Sequence, residues 1–134
     1  MRRFLLYWLP ALVWMGVVFA ASAQPQLPEI GEAGSPLDQF AHKAAHIAVF
    51  AVLTGLYYRL LGQYLPVPGD LRLLAVSLAV IYGLGDELHQ MLVPGRNGRL
   101  VDVAVDAVGC GAAMLLLAWL ERRLPLLRRM SGAR

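Results

Sequence analysis

The chain has 134 residues, 58% of them hydrophobic and 16% charged, with a formal net charge of +3 at pH 7. A soluble domain is about 45–50% apolar and about 25% charged, so this balance excludes an ordinary water-soluble enzyme or binding module. A pI of 9.4 does not point to nucleic acid, because the arginines flank apolar runs instead of forming a basic stripe, and the single Cys110 excludes an internal disulfide framework or zinc motif.

The first apolar run extends from Phe4 to about Ala23, behind Arg2-Arg3, and contains Pro10. Membrane spans tolerate an internal proline better than soluble helices do. Ala21-Ser22-Ala23 before Gln24 resembles a signal-peptide cleavage site. The apolar stretch exceeds the roughly 7–15 residues of a signal peptide, so retention as a span is expected. Arg2-Arg3-Phe4-Leu5 also hints at a twin-arginine signal, but no folded soluble cargo follows.

Residues Gln24 to Leu37, with Pro25, Pro28, Gly31, Gly34 and Pro36, read as a loop. A second run covers about Gln39 to Leu61, and Gly62 to Asp70 forms a short turn. A third run covers about Leu71 to Val93 and stops at Pro94-Gly95; a fourth covers Leu100 to Leu120, ahead of a basic tail, 121–134. Each run approaches the roughly 20 apolar residues a spanning helix needs. The expectation is an all-α, four-helix transmembrane bundle with short loops, one integral membrane domain over 1–134.

Charge counting orients it. With a cytoplasmic N-terminus, the cytoplasmic side holds Arg2, Arg3, Arg59, Arg72, Arg122, Arg123, Arg128, Arg129 and Arg134, while Lys43, Arg96 and Arg99 face outwards. This bias satisfies the positive-inside rule and predicts that both termini lie in the cytoplasm, with the chain in a bacterial-type inner membrane.

Three polar clusters interrupt the apolar runs: Lys43-Ala44-Ala45-His46, Asp86 to Gln90, and Asp102 with Asp106. An Asp, Lys or Arg at mid-membrane costs roughly 2.5–3.5 kcal/mol on insertion scales, so each is a functional-site hypothesis. His46, Glu87 and Asp106 all lie about six residues from the outer ends of their runs, ~9–10 Å deep at about 1.5 Å per residue. Helical spacing puts Asp102, Asp106 and Gly109 on one stripe, and Lys43, His46 and Phe50 on another. Glu87 shares a face with Gln90, and Asp86 with His89. The small-residue steps Ala107/Gly111 and Gly109/Ala113 permit close helix approach, letting the carboxylates reach His46, Lys43 or Arg96.

The structural alternatives are snorkelling of His42, Lys43 and Arg99 to water and carboxylate–cation pairs that only hold helices together. Tyr57, Tyr58 and Tyr64 read as an interfacial aromatic belt, and Trp8 and Trp14 as lipid-facing or packing residues. His42, His46, His89 and Glu87 form a conceivable metal set. The zinc-protease pattern His-Glu-x-x-His is absent, with Lys43 where the carboxylate belongs. Neither a metal nor another cofactor is expected.

Taken jointly, Lys43-x-x-His46-x-x-x-Phe50, Asp86-Glu87-x-x-Gln90-x-x-x-Pro94-x-Arg96 and Asp102-x-x-x-Asp106-x-x-Gly109 resemble the VanZ-like membrane proteins. The namesake is associated with resistance to the glycopeptide teicoplanin. The resemblance covers roughly Lys43 to Ala113. It implies that Lys43, His46, Glu87, Gln90, Arg96, Asp102 and Asp106 are motif positions, while His42 and His89 belong to the pattern less firmly.

Three functions are then open. One is binding or modification of an envelope amphiphile (a membrane lipid, a lipid-linked cell-wall precursor or a lipoglycopeptide), with Lys43, Gln90, Arg96 and Asp102 as ligand-binding residues and Arg96 gripping an anion. Another is an intramembrane enzyme acting on a lipid-linked ester or phosphate, with His46, Glu87 and Asp106 catalytic. Ser22, Ser35, Ser77 and Ser131 are scattered, and none is expected in the cluster. The last is a proton- or solute-conducting subunit, which would require an oligomer.

Overall fold

A computed structural model describes residues 1–25, 32, 34–65, 68–94 and 100–123, with backbone only at 68, 69 and 100. Among these the chain is all helical, as its composition implies. A π-helical turn, Phe4–Trp8, leads into α1, Leu9–Ser22; α2 is Pro36–Leu61, α3 is Pro68–Gln90 and α4 is Leu100–Arg123. The π-helical turn sits directly ahead of Pro10. A proline ring collides with the carbonyl four residues back, here Leu6, and a wider turn relieves the collision.

The helix bounds depart from the expected runs for local reasons. α2 begins three residues early because Ser35 caps it: the Ser35 side chain accepts from the Asp38 N–H, Pro36 occupies the first turn, and Asp38 supplies an acidic group there. The Gly34 N–H in turn donates to Asp38 Oδ2 at 3.1 Å, from a backbone with φ of +72° that favours glycine. α3 ends at Gln90, not Val93; the chain tightens through Leu92 N–H to His89 O and Val93 N–H to Gln90 O because Pro94 disfavours helix at the residue before it. α4 runs on to Arg123, so Glu121 belongs to the helix and not to a tail. Residues 124–134 lie outside the described residues, as do Arg96 and Arg99.

α2, α3 and α4 pack on one another, and α1 lies against α2 and α3. The close approach of α2 and α4 is set at Gly109, where an added Cβ would stand 2.7 Å from the Ile47 carbonyl oxygen. Gly111 meets nothing within 4 Å, so only one of the two expected small-residue steps makes that contact. α1 is tied down by polar bonds. Trp14 Nε1 donates to the Val49 carbonyl at 3.0 Å, and the Tyr82 hydroxyl donates to the Met15 carbonyl at 2.7 Å.

Apolar side chains face outwards and carboxylates inwards. Leu115 is 75% and Ile81 65% exposed, whereas Glu87 and Asp106 are 1% exposed. Water would enforce the reverse arrangement; an apolar solvent favours this one. Among the described residues, Phe4–Ser22, Pro36–Leu61 and Val101–Arg123 are long and apolar enough to cross a membrane. α3, carrying Asp70, Arg72, Asp86 and Glu87, does not meet that standard by composition.

The end that holds Tyr58, Arg72 and Glu121 has its own polar knot. Tyr58 and Arg72 both donate to Glu121, at 2.9 and 2.6 Å. Tyr57 and Tyr58 are buried, so they belong to the core and not to an interfacial belt. Tyr64 accepts from Trp8 Nε1 at 2.9 Å. Arg59 lies over the Tyr7 ring at 5.1 Å, a cation–π contact.

Candidate functional site

The helices run up and down in succession, so the last turns of α1 and α3 and the first turns of α2 and α4 meet at one end. Three side chains converge there. One ligand atom each from His46 of α2, Glu87 of α3 and Asp106 of α4 lie within 4.8 Å of one another. His46 Nδ1 is 3.0 Å from Asp106 Oδ1. The Phe50 ring stacks over the His46 imidazole at 6.5 Å. It also stands beside Gly83, where an added Cβ would meet Phe50 Cε1 at 3.1 Å and Asp106 Oδ2 at 3.3 Å.

A second knot adjoins the first. Ser22 Oγ donates to Asp86 Oδ2 at 2.7 Å, and Gln90 Nε2 donates to the same oxygen at 2.9 Å. Ser22, Asp86 and Gln90 are all buried. Gln90 therefore works with Asp86, one turn back on α3, and reaches across to α1, at 3.3 Å from Ser22 Oγ. This corrects the expectation that no serine lies in the cluster. Ser22 sits in a small-residue stretch shaped like a cleavage site, which masks it in the sequence. Its only local signal was a hydroxyl at the outer end of an apolar run.

Other expected members fall elsewhere. Lys43 is exposed, and among the described residues it makes no ion pair with the carboxylates. Asp102 is half-buried, without a hydrogen bond to the cluster among the described residues. Arg96, expected to grip an anion, lies outside the described residues. The expected histidine set does not assemble. His42 turns back on its own helix, with Nδ1 2.8 Å from the Asp38 carbonyl oxygen and 3.3 Å from Asp38 Oδ1. His89 lies against the Phe19 ring at 4.4 Å. Asp38 lies four residues before His42 on α2, a pairing that helical spacing allows, whereas Phe19 reaches His89 from another helix.

Beside the two knots is a cavity of about 160 Å³ between α1, α2 and α3. Trp14, Val17, Val18, Ala21, Val49 and Phe50 form apolar walls, and Ser22, Asp86, Gln90, His42 and His46 supply its polar groups. An apolar wall with a few convergent polar groups is the usual build of a small-molecule site.

The family model described as VanZ/LLP1 matches residues 6–121, which takes in every helix from α1 to α4 and both knots. The chain belongs to the VanZ/LLP1 family. The expected resemblance is thus extended from the central segment to α1, the helix that contributes Ser22. No curated protein and no solved structure matches this VanZ/LLP1 chain.

Proposed function

We propose that this VanZ/LLP1 protein crosses the bacterial inner membrane four times, with both termini in the cytoplasm, as a single integral domain, and binds an envelope amphiphile in the cavity between α1, α2 and α3. α3 serves as the fourth span: its 23 residues reach about 34 Å at about 1.5 Å per residue, and its Asp86 and Glu87 carboxylates are buried in the bundle. The arginine bias assigns Glu121 and Arg72 to the cytoplasmic end and the cavity to the outer leaflet.

The observation that carries this reading is the cavity: its walls are overwhelmingly apolar, as an acyl chain requires, and Ser22, Asp86, Gln90 and His46 are among the residues that line it. The sequence adds Lys43, Asp102 and Arg96 to the proposed ligand-binding set, the planar arginine fork being suited to a phosphate or carboxylate head. A lipid-linked cell-wall precursor or a lipoglycopeptide has this chemistry, and a role in teicoplanin-type resistance rests on the family resemblance alone. Native mass spectrometry of gently extracted protein tests the proposal. A lipid should copurify with the wild type and be displaced in Ala21→Trp, which fills the cavity; no retained lipid in either protein overturns it.

One observation favours a second reading, an acid–base enzyme acting on a lipid-linked ester or phosphate. The Ser22 hydroxyl donates to the Asp86 carboxylate at the cavity edge, and His46, Glu87 and Asp106 stand next to it as the acid–base groups. Turnover of a lipid ester by the purified protein, abolished in Glu87→Gln, separates this reading from binding alone.

A further inference from the structure

His46, Glu87 and Asp106 come from three different helices, yet a nitrogen and two carboxylate oxygens lie within 4.8 Å of one another. Three donors bonded to one ion at about 2.0–2.2 Å in a tetrahedral set stand about 3.3–3.6 Å apart, so these three share an ion once their side chains close in by up to about 1.5 Å. Both carboxylates are 1% exposed.

A second observation points the same way. Asp106 is held by His46 through Oδ1, but its Oδ2 is buried with no hydrogen-bond partner among the described residues. A buried, unsatisfied carboxylate oxygen is costly, and such atoms call for a bound group. Gly83 lies beside Oδ2, where an added Cβ would stand 3.3 Å from that oxygen and 3.1 Å from Phe50 Cε1.

We propose that His46, Glu87 and Asp106 form a site for one divalent first-row transition metal ion. One imidazole and two carboxylates suit zinc, manganese or ferrous iron, whereas calcium takes six to eight oxygens. Three protein ligands leave a coordination position open, as catalytic metal sites do. His46 also lines the cavity.

The test uses full-length protein carrying no polyhistidine tag, purified in mild detergent without chelator. Elemental analysis of the wild type should find about one transition-metal ion per chain. After chelation, Zn²⁺ or Mn²⁺ alone should raise the thermal midpoint with increasing concentration, as binding to the folded state requires. Asp106→Asn and Glu87→Gln keep the side-chain shape and should lose both the retained metal and the midpoint shift. The proposal is overturned if folded wild type neither retains a metal nor responds to Zn²⁺ or Mn²⁺, or if both variants bind as tightly as wild type. Should neither variant fold, the wild-type measurements decide alone. Metal content and lipid copurification are separate readouts, so failure of this site and failure of the amphiphile reading are told apart.

Discussion

The carbonyl oxygen of Ile47 lies where a side chain on Gly109 would begin, 2.7 Å from the position of an added Cβ, with the Ile47 Cα at 2.9 Å. Ile47 follows His46, and Gly109 lies one helical turn beyond Asp106. The contact that lets α2 and α4 touch backbone to backbone therefore also sets the 3.0 Å approach of His46 to Asp106. Between helices in a membrane, small residues at the interface and polar pairs supply what the hydrophobic effect cannot.

Gly109→Ala is expected to destabilise the protein by about 1–3 kcal/mol, as overpacking does when the obstructing atoms are backbone and cannot yield. Gly111→Ala, facing open space, should be neutral or slightly stabilising, since alanine is the better helix former. Thermal unfolding in detergent, monitored by circular dichroism, compares the two. Equal midpoints would remove Gly109 as the α2–α4 contact.

Glu121 accepts from Tyr58 and Arg72 and so joins α2, α3 and α4 at the end opposite the cavity. Glu121→Ala should cost about 1–3 kcal/mol, because it strands two donors. Tyr58→Phe, which removes one neutral donor and leaves the ion pair, should cost less, about 0.5–1.5 kcal/mol. The order of the two thermal midpoints checks this; a larger loss in Tyr58→Phe would contradict it.

Ser22→Ala removes the bond between α1 and the Asp86 carboxylate while Gln90 still donates to the same oxygen. The expected loss is about 1–3 kcal/mol, the range for taking a hydrogen-bond partner from a buried polar group. It should appear as faster amide exchange in α1 with α2 to α4 unchanged, because α1 lies outside the packed trio of the other helices. Uniformly faster exchange in all four helices would show that α1 is not a separately docked unit.

Cys110 is fully buried and should resist a membrane-impermeant maleimide in intact cells, which makes Cys110→Ser a silent background. In that background, Lys43→Cys should label from outside the cell and Arg59→Cys only after the membrane is opened. Both residues are exposed, so access depends on sidedness. The opposite pattern would invert the proposed topology.

Hydropathy and helical spacing are local properties, and what depends on them was legible. The apolar stretches of α1, α2 and α4 follow from composition, and the shared level of His46, Glu87 and Asp106 follows from counting residues along alternating helices. A capping signal that the spacing argument overlooked, Ser35-Pro36 with Asp38, would have placed the start of α2 correctly. Side-chain partners are a different matter. Spacing grouped Gln90 with Glu87, yet Gln90 bonds to Asp86 and Ser22; it offered His42 and His89 to a metal, yet one turns to Asp38 and the other to Phe19.

What the amino-acid order determined alone was which segments avoid water and at which end their hydrophilic residues gather, because transfer free energy belongs to each residue wherever it sits. The tertiary arrangement decided that Ser22 joins a residue 64 positions away, that Lys43 stays outside, and that a chamber opens between α1, α2 and α3. Those outcomes depend on rotation and register between helices. Directional hydrogen bonds and backbone clearance fix both, and neither can be computed from one helix at a time.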